Sequence, residues 1–219
     1  MLVLAVDTAT PAVTAGVVDL ASMIVLGERV TVDAKAHGEL LTPHVLDALR
    51  EAGRTFADLA AIVCGVGPGP FTGLRAGMAT AAALGQALGK PVHPVCTLDA
   101  LAAESAPPLL VASDARRKEI YWAAYDASGK RVAGPAVDKP DDVVARIPSL
   151  GVERVAGNGA TRYDLGLSRT GLEYPTPLGL ARVAGADVLA GAKPRPFVPM
   201  YLRRPDAVEP GARKRVTAP

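Results

Sequence analysis

Short apolar runs separated by polar turns fill the first thirty residues, and the spacing then changes to that of amphipathic helices. Runs rich in β-branched residues predict strands, whereas apolar residues recurring every three or four positions predict helices. The first half should therefore hold a three-stranded meander, a helix, a buried strand, a long helix and a last strand. Their predicted bounds are Leu2–Val6, Val13–Leu20, Ile24–Val30, Gly38–Arg50, Ala60–Val66, Phe71–Leu88 and Pro91–Cys96.

The second half of the chain repeats the opening pattern of apolar runs. Its predicted strands are Leu109–Ser113, Glu119–Asp126, Val132–Val137 and Arg154–Ala156. An offset of 107 residues places Asp7 on Asp114 and Asp19 on Asp126. This agreement indicates a duplicated ββ unit in which each copy ends its first strand with an acidic residue. From Pro194 onward prolines are dense, so that segment should be extended or wrap around the body.

The composition is that of a folded protein with an unusual core. Of the 219 residues, 49% are apolar and 21% charged, which is enough to bury a core and excludes a disordered chain. Aromatic residues make up only 4%, so the core must consist mainly of Ala, Val and Leu. Proteins that bind single-stranded nucleic acid commonly stack bases on aromatic rings, and so few rings argue against such a platform.

The cysteines and the N-terminus indicate a cytoplasmic protein. Cys64 and Cys96 lie in apolar contexts and are typical of buried thiols in a reducing compartment. The apolar start Met1–Val6 lacks a basic region and meets Asp7 too early for a signal peptide. No run approaches the ~18 apolar residues of a membrane span. We therefore expect no membrane association.

Charge is concentrated at the C-terminal end. The whole chain carries a net charge of +2, and residues 201–219 hold five basic side chains against two acidic ones. The remainder is consequently close to neutral. A near-neutral body argues against nucleic-acid binding driven by phosphate contacts alone.

Asp7 and Thr8 are the first candidates for chemistry. A carboxylate and a hydroxyl at the end of a buried strand could hold a metal ion or a phosphate-bound water. The alternative is an aspartate that caps the following turn. The second copy of the unit offers Asp114, followed by a charged turn over 115–119 that could meet phosphates or form a solvated hairpin.

The segment Gly-Pro-Gly-Pro-Phe-Thr-Gly-Leu-Arg, residues 67–75, is the most distinctive in the chain. A glycine-rich turn that leads into a helix can offer backbone N–H groups to an anion. The segment lacks the Gly-Lys-Ser/Thr of a P-loop, and its prolines remove two donors. The alternative is a tight strand-to-helix connection in which Thr72 caps the helix.

A row of small residues follows on the same predicted helix at intervals of four. Such a row lets another backbone come close, either the underlying sheet or a helix of another subunit. The row consists of Gly73, Gly77, Ala81 and Gly85.

The histidines do not form a metal site. His37 and His44 are seven residues apart on one helical face, which is too far for one metal ion, so a surface or interface role is expected. Pro43 should lie in the first turn of their helix. His93 lies between Val92 and Pro94 and should be structural.

Five motifs together resemble the TsaB (YeaZ) family. They are Val6–Thr10, His37–Leu41, residues 67–75, Asp114–Arg116 and Tyr201–Ala207, and they span nearly the whole chain. The resemblance implies an α/β actin-like ATPase (ASKHA, ribonuclease H-like) fold with two lobes. We expect an N-terminal lobe over 1–102, a smaller lobe over 103–200 and a basic, flexible tail over 201–219.

The resemblance also implies the function of a partner protein. Members of this family are similar in fold to TsaD, which transfers the threonylcarbamoyl group to N6 of adenosine 37 in tRNA, but are regarded as non-catalytic. We therefore expect a scaffold that binds TsaD as a heterodimer, is joined by the ATPase TsaE, and meets tRNA through the complex. The chain itself should need no cofactor, although the complex could hold ATP or ADP. It could also pair with itself.

A departure from the TsaD pattern supports the non-catalytic interpretation. The resemblance places TsaD's two metal-binding histidines, four residues apart, at the positions that read Thr97 and Leu101 here. Leucine cannot ligate a metal, and a lone hydroxyl is a poor ligand for a transition metal. We expect no TsaD-type metal site.

The resemblance also indicates the partner-binding surface, which the family forms from its two N-lobe helices. In this chain those are the predicted helices Gly38–Arg50 and Phe71–Leu88. The residues expected at the interface are Leu41, Val45, Leu49, Gly73, Gly77, Met78, Ala81 and Gly85.

Two other functions stay open at this point. One is a nucleotide-binding enzyme of the same fold: Asp7 and Thr8 would suit a small-substrate kinase, whereas a glycoprotease-like peptidase, suggested by the wider family, needs a metal site that the sequence does not supply. A plain homodimeric binding module would use the same helices as the scaffold. The basic tail could contact tRNA or be a solvated flexible end, and the sequence favours the second.

Overall fold

The computed structural model describes residues 1–203, which form two five-stranded sheets with helices packed around them. The first sheet contains β1 (Leu2–Asp7), β2 (Ala12–Asp19), β3 (Ile24–Val32), β4 (Leu59–Gly65) and β5 (Val92–Val95). The second contains β6 (Leu109–Asp114), β7 (Ile120–Tyr125), β8 (Arg131–Asp138), β9 (Arg154–Ala156) and β10 (Ser168–Arg169). The longer helices are α1 (His37–Glu51), α2 (Phe71–Leu88) and α7 (Pro177–Leu189). The shorter ones are α3 (Thr97–Ala102), α4 (Pro140–Val144), α5 (Ile147–Leu150) and α6 (Gly159–Arg162), with a 3₁₀ turn at Phe56–Asp58.

The two sheets have the same topology, so the predicted duplication is confirmed and extends beyond the ββ unit. The strand orders are β3-β2-β1-β4-β5 and β8-β7-β6-β9-β10, with the meander antiparallel and the other strands parallel in both. Asp7 and Asp114 end the equivalent strands β1 and β6, as predicted. The match of Asp19 to Asp126 is wrong by one residue, because Asp19 pairs with Leu2 whereas the partner of Leu109 is Tyr125.

Strand β1 is buried on both faces, which explains its continuous apolar sequence. Leu4 and Val6 point to a core shared with α1 and α2, whereas Val3 and Ala5 point to a second core on the opposite face. Helix α7 covers that second face with a stripe of small and medium side chains: Leu180, Ala181, Ala184 and Val188.

Helix α7 was not predicted from the sequence, and it packs on the first sheet. Its apolar pattern is interrupted by Gly179 and Gly185, which weaken any helix signal. A Cβ at Gly179 would overlap with the carbonyl oxygen of Ala100, so this glycine permits close packing of α7 on α3. The chain thus returns to the first sheet after residue 176, where α7 contacts β1, β2, β4 and β5.

The proline-rich segment after α7 also wraps around the body, as predicted. Phe197 packs on the core beneath α1 and α2, and the Met200 N–H donates to the carbonyl oxygen of Val66 at 2.8 Å. The rest of the basic tail, residues 204–219, lies outside the described residues.

Most predicted elements are present with small shifts in their ends, and α2 and β9 have the predicted bounds. Pro43 lies in the second turn of α1, not in the first, because the helix begins at His37. Cys64 and Cys96 are free and buried, as predicted. Within residues 1–203, no helix is long and apolar enough to cross a membrane.

Truncation of Leu180 tests whether α7 is part of the first core. Leu180 is fully buried, so we expect Leu180→Ala to lower the free energy of unfolding by about 2–5 kcal/mol. Leu189 at the end of the same helix is half-exposed, and Leu189→Ala should cost less than about 1 kcal/mol. Chemical denaturation of the two variants measures the difference, and equal losses would contradict the packing of α7.

Candidate functional site

A cleft of about 1160 Å³ lies where the carboxyl ends of β1 and β6 face each other. The first unit contributes Thr8, Thr10, His37 and the start of α2 to its wall, and the second unit contributes the turn after β6 and residues of α6. Five cationic residues line it among the described part of the chain: Lys35, Arg116, Arg117, Lys118 and Arg162. The cleft is therefore suited to an anionic ligand.

Asp7, the first predicted contact residue, does not reach this cleft. Its side chain is fully buried. Oδ1 accepts a hydrogen bond from the Ala9 N–H at 2.8 Å, and Oδ2 accepts one from the Thr97 hydroxyl at 2.7 Å. Burial raises the pKa of Asp7 to about 6 by disfavouring its charged form, although these hydrogen bonds oppose the change. The alternative of a turn-capping aspartate is the one the structure supports.

Thr8 lines the cleft, but its hydroxyl is already bonded to α2. Thr8 Oγ1 donates to the Gly73 carbonyl oxygen at 2.7 Å and accepts from the Gly77 N–H at 3.0 Å. The side chain is buried, and a Cβ at Gly77 would overlap with its oxygen. Thr8 therefore positions the helix, and its hydroxyl hydrogen is already donated to α2.

Asp114 is the candidate whose carboxylate forms part of the cleft wall. Its Oδ2 accepts from Arg162 Nη1 at 3.1 Å, and its Oδ1 accepts from the Tyr163 hydroxyl at 3.2 Å. The Arg116 N–H also donates to Oδ1, in the same turn geometry that Asp7 has in the first unit. Arg162 and Tyr163 were not foreseen, because residues in a short helix with no motif give no sequence signal for such contacts.

The charged turn after Asp114 is a hairpin with an unusual backbone. Arg116, Arg117 and Lys118 all have positive φ, between 54° and 61°. A non-glycine residue in this region costs about 1–2 kcal/mol, and three in succession hold three cationic side chains at the mouth of the cleft. The predicted hairpin is present, and its strain is concentrated at the cleft.

The glycine-rich segment connects β4 to α2 by a close approach to the loop after β1. A Cβ at Gly69 would overlap with the carbonyl oxygen of Ala9, so only glycine fits there. The expectation that Thr72 caps α2 is wrong, since the helix begins at Phe71, Pro70 is the N-cap residue, and no side chain caps it.

The two histidines of α1 are buried, which corrects the expected surface or interface role. His37 Nε2 lies 2.8 Å from the Thr10 carbonyl oxygen, and His44 Nε2 lies 2.9 Å from Thr31 Oγ1. Each thus ties α1 to the first sheet or to the loop after β1. His93 is also buried, in agreement with a structural role.

The residues expected at a partner interface face inward in the structure. All eight are buried, and α1 and α2 direct them at the first sheet and at each other: Leu41, Val45, Leu49, Gly73, Gly77, Met78, Ala81 and Gly85. The row of small residues serves the underlying sheet, since Gly77 meets Thr8 and Gly85 meets Val92. A partner would have to contact the outer face of these helices.

The resemblance aligned Thr97 and Leu101 with the two metal-binding histidines of TsaD. In the structure both side chains make other contacts. Thr97 donates its hydroxyl hydrogen to Asp7, and Leu101 is fully buried in the core beside the second sheet. Within the described part of the chain, no group of three His, Cys, Asp or Glu side chains could hold a metal ion.

Comparison with known proteins identifies the family. The family model described as TsaD, tRNA N6-adenosine threonylcarbamoyltransferase, matches residues 25–185. The tRNA threonylcarbamoyladenosine biosynthesis protein TsaB of Escherichia coli is 33% identical over 183 residues, which cover 76% of this chain and 75% of that protein. The chain belongs to the TsaB (YeaZ) family.

Two further relatives cover nearly the whole chain. YeaZ from Pseudomonas aeruginosa has a solved structure with a TM-score of 0.77 and 28% identity, covering 92% of this chain and 99% of that chain. A protein of Mycobacterium tuberculosis described as uncharacterized is 55% identical over 206 residues, covering 94% and 93% of the two chains. The predicted α/β fold with a duplicated unit is thus confirmed.

Protonation of Asp7 should make stability depend on pH. Its pKa is about 6 in the folded protein against an ordinary value of 3.8, so the folded state holds the proton more tightly. Stability from this group is present below pH 3.8 and is lost as the pH rises through about 6, by roughly 3 kcal/mol in total. Denaturation of wild type and Asp7→Asn at several pH values should show the wild type losing stability relative to the variant over this window.

Asp33 supplies the matched control for the Asp7 prediction. It makes the same turn, with Oδ1 accepting from the Lys35 N–H at 2.9 Å, but it is exposed. The same change of pH dependence in Asp33→Asn would mean that the effect does not come from burial. A stability difference between wild type and Asp7→Asn that stays constant from pH 4 to 7 would contradict the buried-carboxylate interpretation.

Glycine-to-alanine changes distinguish the inner and outer sides of the helices. Gly77→Ala should destabilise by about 1–3 kcal/mol, because the new methyl group overlaps with Thr8 Oγ1. Gly38 in α1 has open space around its missing Cβ, so Gly38→Ala should stabilise by up to about 1 kcal/mol. Thermal unfolding gives the sign of both effects, and a neutral Gly77→Ala would count against the inward-facing assignment.

Proposed function

We propose that this chain takes part in forming threonylcarbamoyladenosine in tRNA as a non-catalytic subunit that binds and supports a TsaD-type transferase. The observation that carries the proposal is membership of the TsaB family, with relatives that cover three quarters or more of the chain. The E. coli and Bacillus subtilis relatives are both named as biosynthesis proteins for this nucleoside.

Thr97 and Leu101, which stand where TsaD has its metal-binding histidines, support a non-catalytic role. A transition-metal site needs nitrogen, sulfur or carboxylate ligands. Leu101 offers none, and Thr97 is held by Asp7 on the inside of the protein. Replacing Leu101 by a ligand would also open the core against which it packs.

The outer face of α1 and α2 is the surface that suits a partner. The two helices pack side by side, and the middle of α2 exposes small apolar residues. Leu46 is 44% exposed on α1, where Glu39, Thr42, Arg50 and Glu51 are also exposed, and α2 exposes Ala79, Ala82 and Ala83. Small residues on an exposed helix face let a second helix pair approach closely, so we propose that the transferase docks here with its corresponding helices.

The other members of the complex follow from this arrangement. A second copy of the chain would use the same outer face, so homodimer and heterodimer would compete for it. TsaE and tRNA would join the pair, and any ATP or ADP would be bound in the assembled complex.

The alternative function, a nucleotide-dependent kinase, depended on Asp7, and this residue does not reach the cleft. Asp7 is fully buried and both of its oxygens are hydrogen-bonded, so it cannot act on a substrate in the cleft without breaking the contact between β1 and α3. The carboxylate that does reach the cleft, that of Asp114, is paired with Arg162. The scaffold role is therefore preferred.

A charge on the outer face should prevent assembly with the transferase. We expect Leu46→Arg to abolish a one-to-one complex with the TsaD-type protein of the same organism, because it places a cation in an apolar contact. Size-exclusion chromatography with light scattering measures the complex, and a reconstituted modification assay measures the product in tRNA.

Leu189→Arg is the matched control for this experiment. Leu189 is 48% exposed, but it lies at the end of α7, which covers the opposite face of the first sheet. This variant should bind and support the transferase as wild type does. Full assembly by Leu46→Arg would overturn the proposed docking face, and product formation by the chain without the transferase would overturn the non-catalytic role.

A further inference from the structure

Two of the nine aromatic residues stack on each other at the surface instead of contributing to the core. The rings of Phe71 and Tyr201 lie 5.4 Å apart between centroids, with an interplanar angle of 21°. Phe71 begins α2 and Tyr201 lies in the C-terminal segment, so the pair is formed only by the tertiary structure. They remain 53% and 41% exposed, which leaves ring surface for another planar group.

An arginine completes this surface. The Arg75 guanidinium lies 3.8 Å from the centre of the Phe71 ring, and its Nε donates to the Tyr201 hydroxyl at 2.7 Å. Arginine side chains stacked on rings contribute to base binding in proteins that hold single-stranded nucleic acid. We call Phe71, Arg75 and Tyr201 the stacking patch.

The stacking patch borders a pocket of about 590 Å³ whose charged lining residues are all positive. Its lining residues within 1–203 include four arginines and three aromatic rings but no carboxylate: Phe71, Arg75, Arg116, Arg117, Tyr121, Tyr201 and Arg203. Arg203 is paired with Glu119, and Arg75 and the turn after β6 also contribute cations to the wall. Rings and cations without acids match the chemistry of a nucleic-acid strand, in which bases alternate with phosphates.

The cationic turn also joins this pocket to the larger cleft. Arg116 and Arg117 line both cavities, and Lys118 and Arg162 continue the positive wall into the cleft. The side chains of Arg116 and Lys118 are exposed and follow a strained backbone, so they are presented on a fixed support. Phosphates one or two nucleotides from a stacked base would meet these cations.

We propose that the stacking patch and the turn Arg116–Lys118 form a contact site for a single-stranded segment of RNA. A base stacks on the rings of Phe71 and Tyr201, and the neighbouring phosphates bind the cationic turn. The identification of the nucleic acid as RNA rests on the proposed function, whereas the site itself rests on the ring and charge geometry.

An acidic peptide is a weaker match for this surface. It would use the cations, but it would leave the exposed rings without a planar partner. The salt dependence of binding separates a stacked strand from a purely electrostatic contact, because only the electrostatic contribution weakens strongly as salt is added.

The test measures binding of a fluorescently labelled, unstructured 12-nucleotide RNA to the full chain by anisotropy, between 25 and 200 mM salt. We expect Phe71→Leu and Tyr201→Leu each to weaken binding about fivefold or more, with little change in the salt dependence, because each removes a ring and no charge. Arg116→Ala should instead reduce the slope of log K against log salt by about 0.7, since one phosphate contact is lost.

Matched controls lie elsewhere on the surface. Val198→Ala removes exposed apolar area near Tyr201 in sequence, and Arg195→Ala removes an exposed cation that follows α7 and pairs with Asp187. Neither should change RNA affinity by more than twofold. Far-ultraviolet circular dichroism and thermal unfolding confirm that every variant is folded, and Phe71→Tyr, which keeps a ring, should restore binding.

Three results would overturn the proposal. The first is wild-type affinity in both ring variants, and the second is an equal effect of Arg116→Ala and Arg195→Ala, which would indicate nonspecific attraction. The third is loss of transferase binding by the ring variants with RNA affinity unchanged, which would make the patch a protein interface. Leu46→Arg should leave RNA binding intact, so failure of the scaffold proposal and failure of this one give different outcomes.

Discussion

Two adjacent buried side chains at the end of β1 hold the surrounding elements together. Thr8 bonds to both Gly73 and Gly77 and so fixes the first turns of α2, and Asp7 accepts the Thr97 hydroxyl hydrogen and so fixes the start of α3. Helix α2 carries the stacking patch and the outer docking face, whereas α3 leads the chain to the second sheet. These contacts are made in a fully buried place, where an unpaired oxygen would be costly, so the arrangement is strongly specified.

The duplication shows how one local motif can serve two purposes. Asp7 and Asp114 end equivalent strands and make the same turn, each accepting from the N–H two residues on. In the first unit the rest of the carboxylate is enclosed by α3. In the second unit it is left at the cleft, where Arg162 and Tyr163 reach it. The difference comes from which helix covers the strand end, and that is decided by the chain connections after each sheet.

The two binding surfaces we propose lie at different positions along α2. Ala79, Ala82 and Ala83 are exposed in the middle and second half of the helix, whereas its N-terminal end near Phe71 is aromatic and cationic. A protein partner and an RNA strand would thus use neighbouring parts of the same helix. The large cleft lies beside the second surface and shares its cationic turn.

The sequence by itself determined the order of strands in both meanders, the exact span of α2, the duplication and the family, because these depend on local periodicity and on motifs. Helix α7 could not be predicted in this way. Its glycines lower the helix propensity of the segment, and the helix is stabilised by packing against the first sheet and α3. The sequence also could not separate the two sides of α1 and α2: the residues expected at the interface proved to be buried, and Leu46 was exposed. The pairing of Phe71 with Tyr201 and the enclosure of Asp7 join residues far apart in the chain. Such contacts, and the burial that raises the pKa of Asp7, are set by tertiary packing and leave no trace in local spacing.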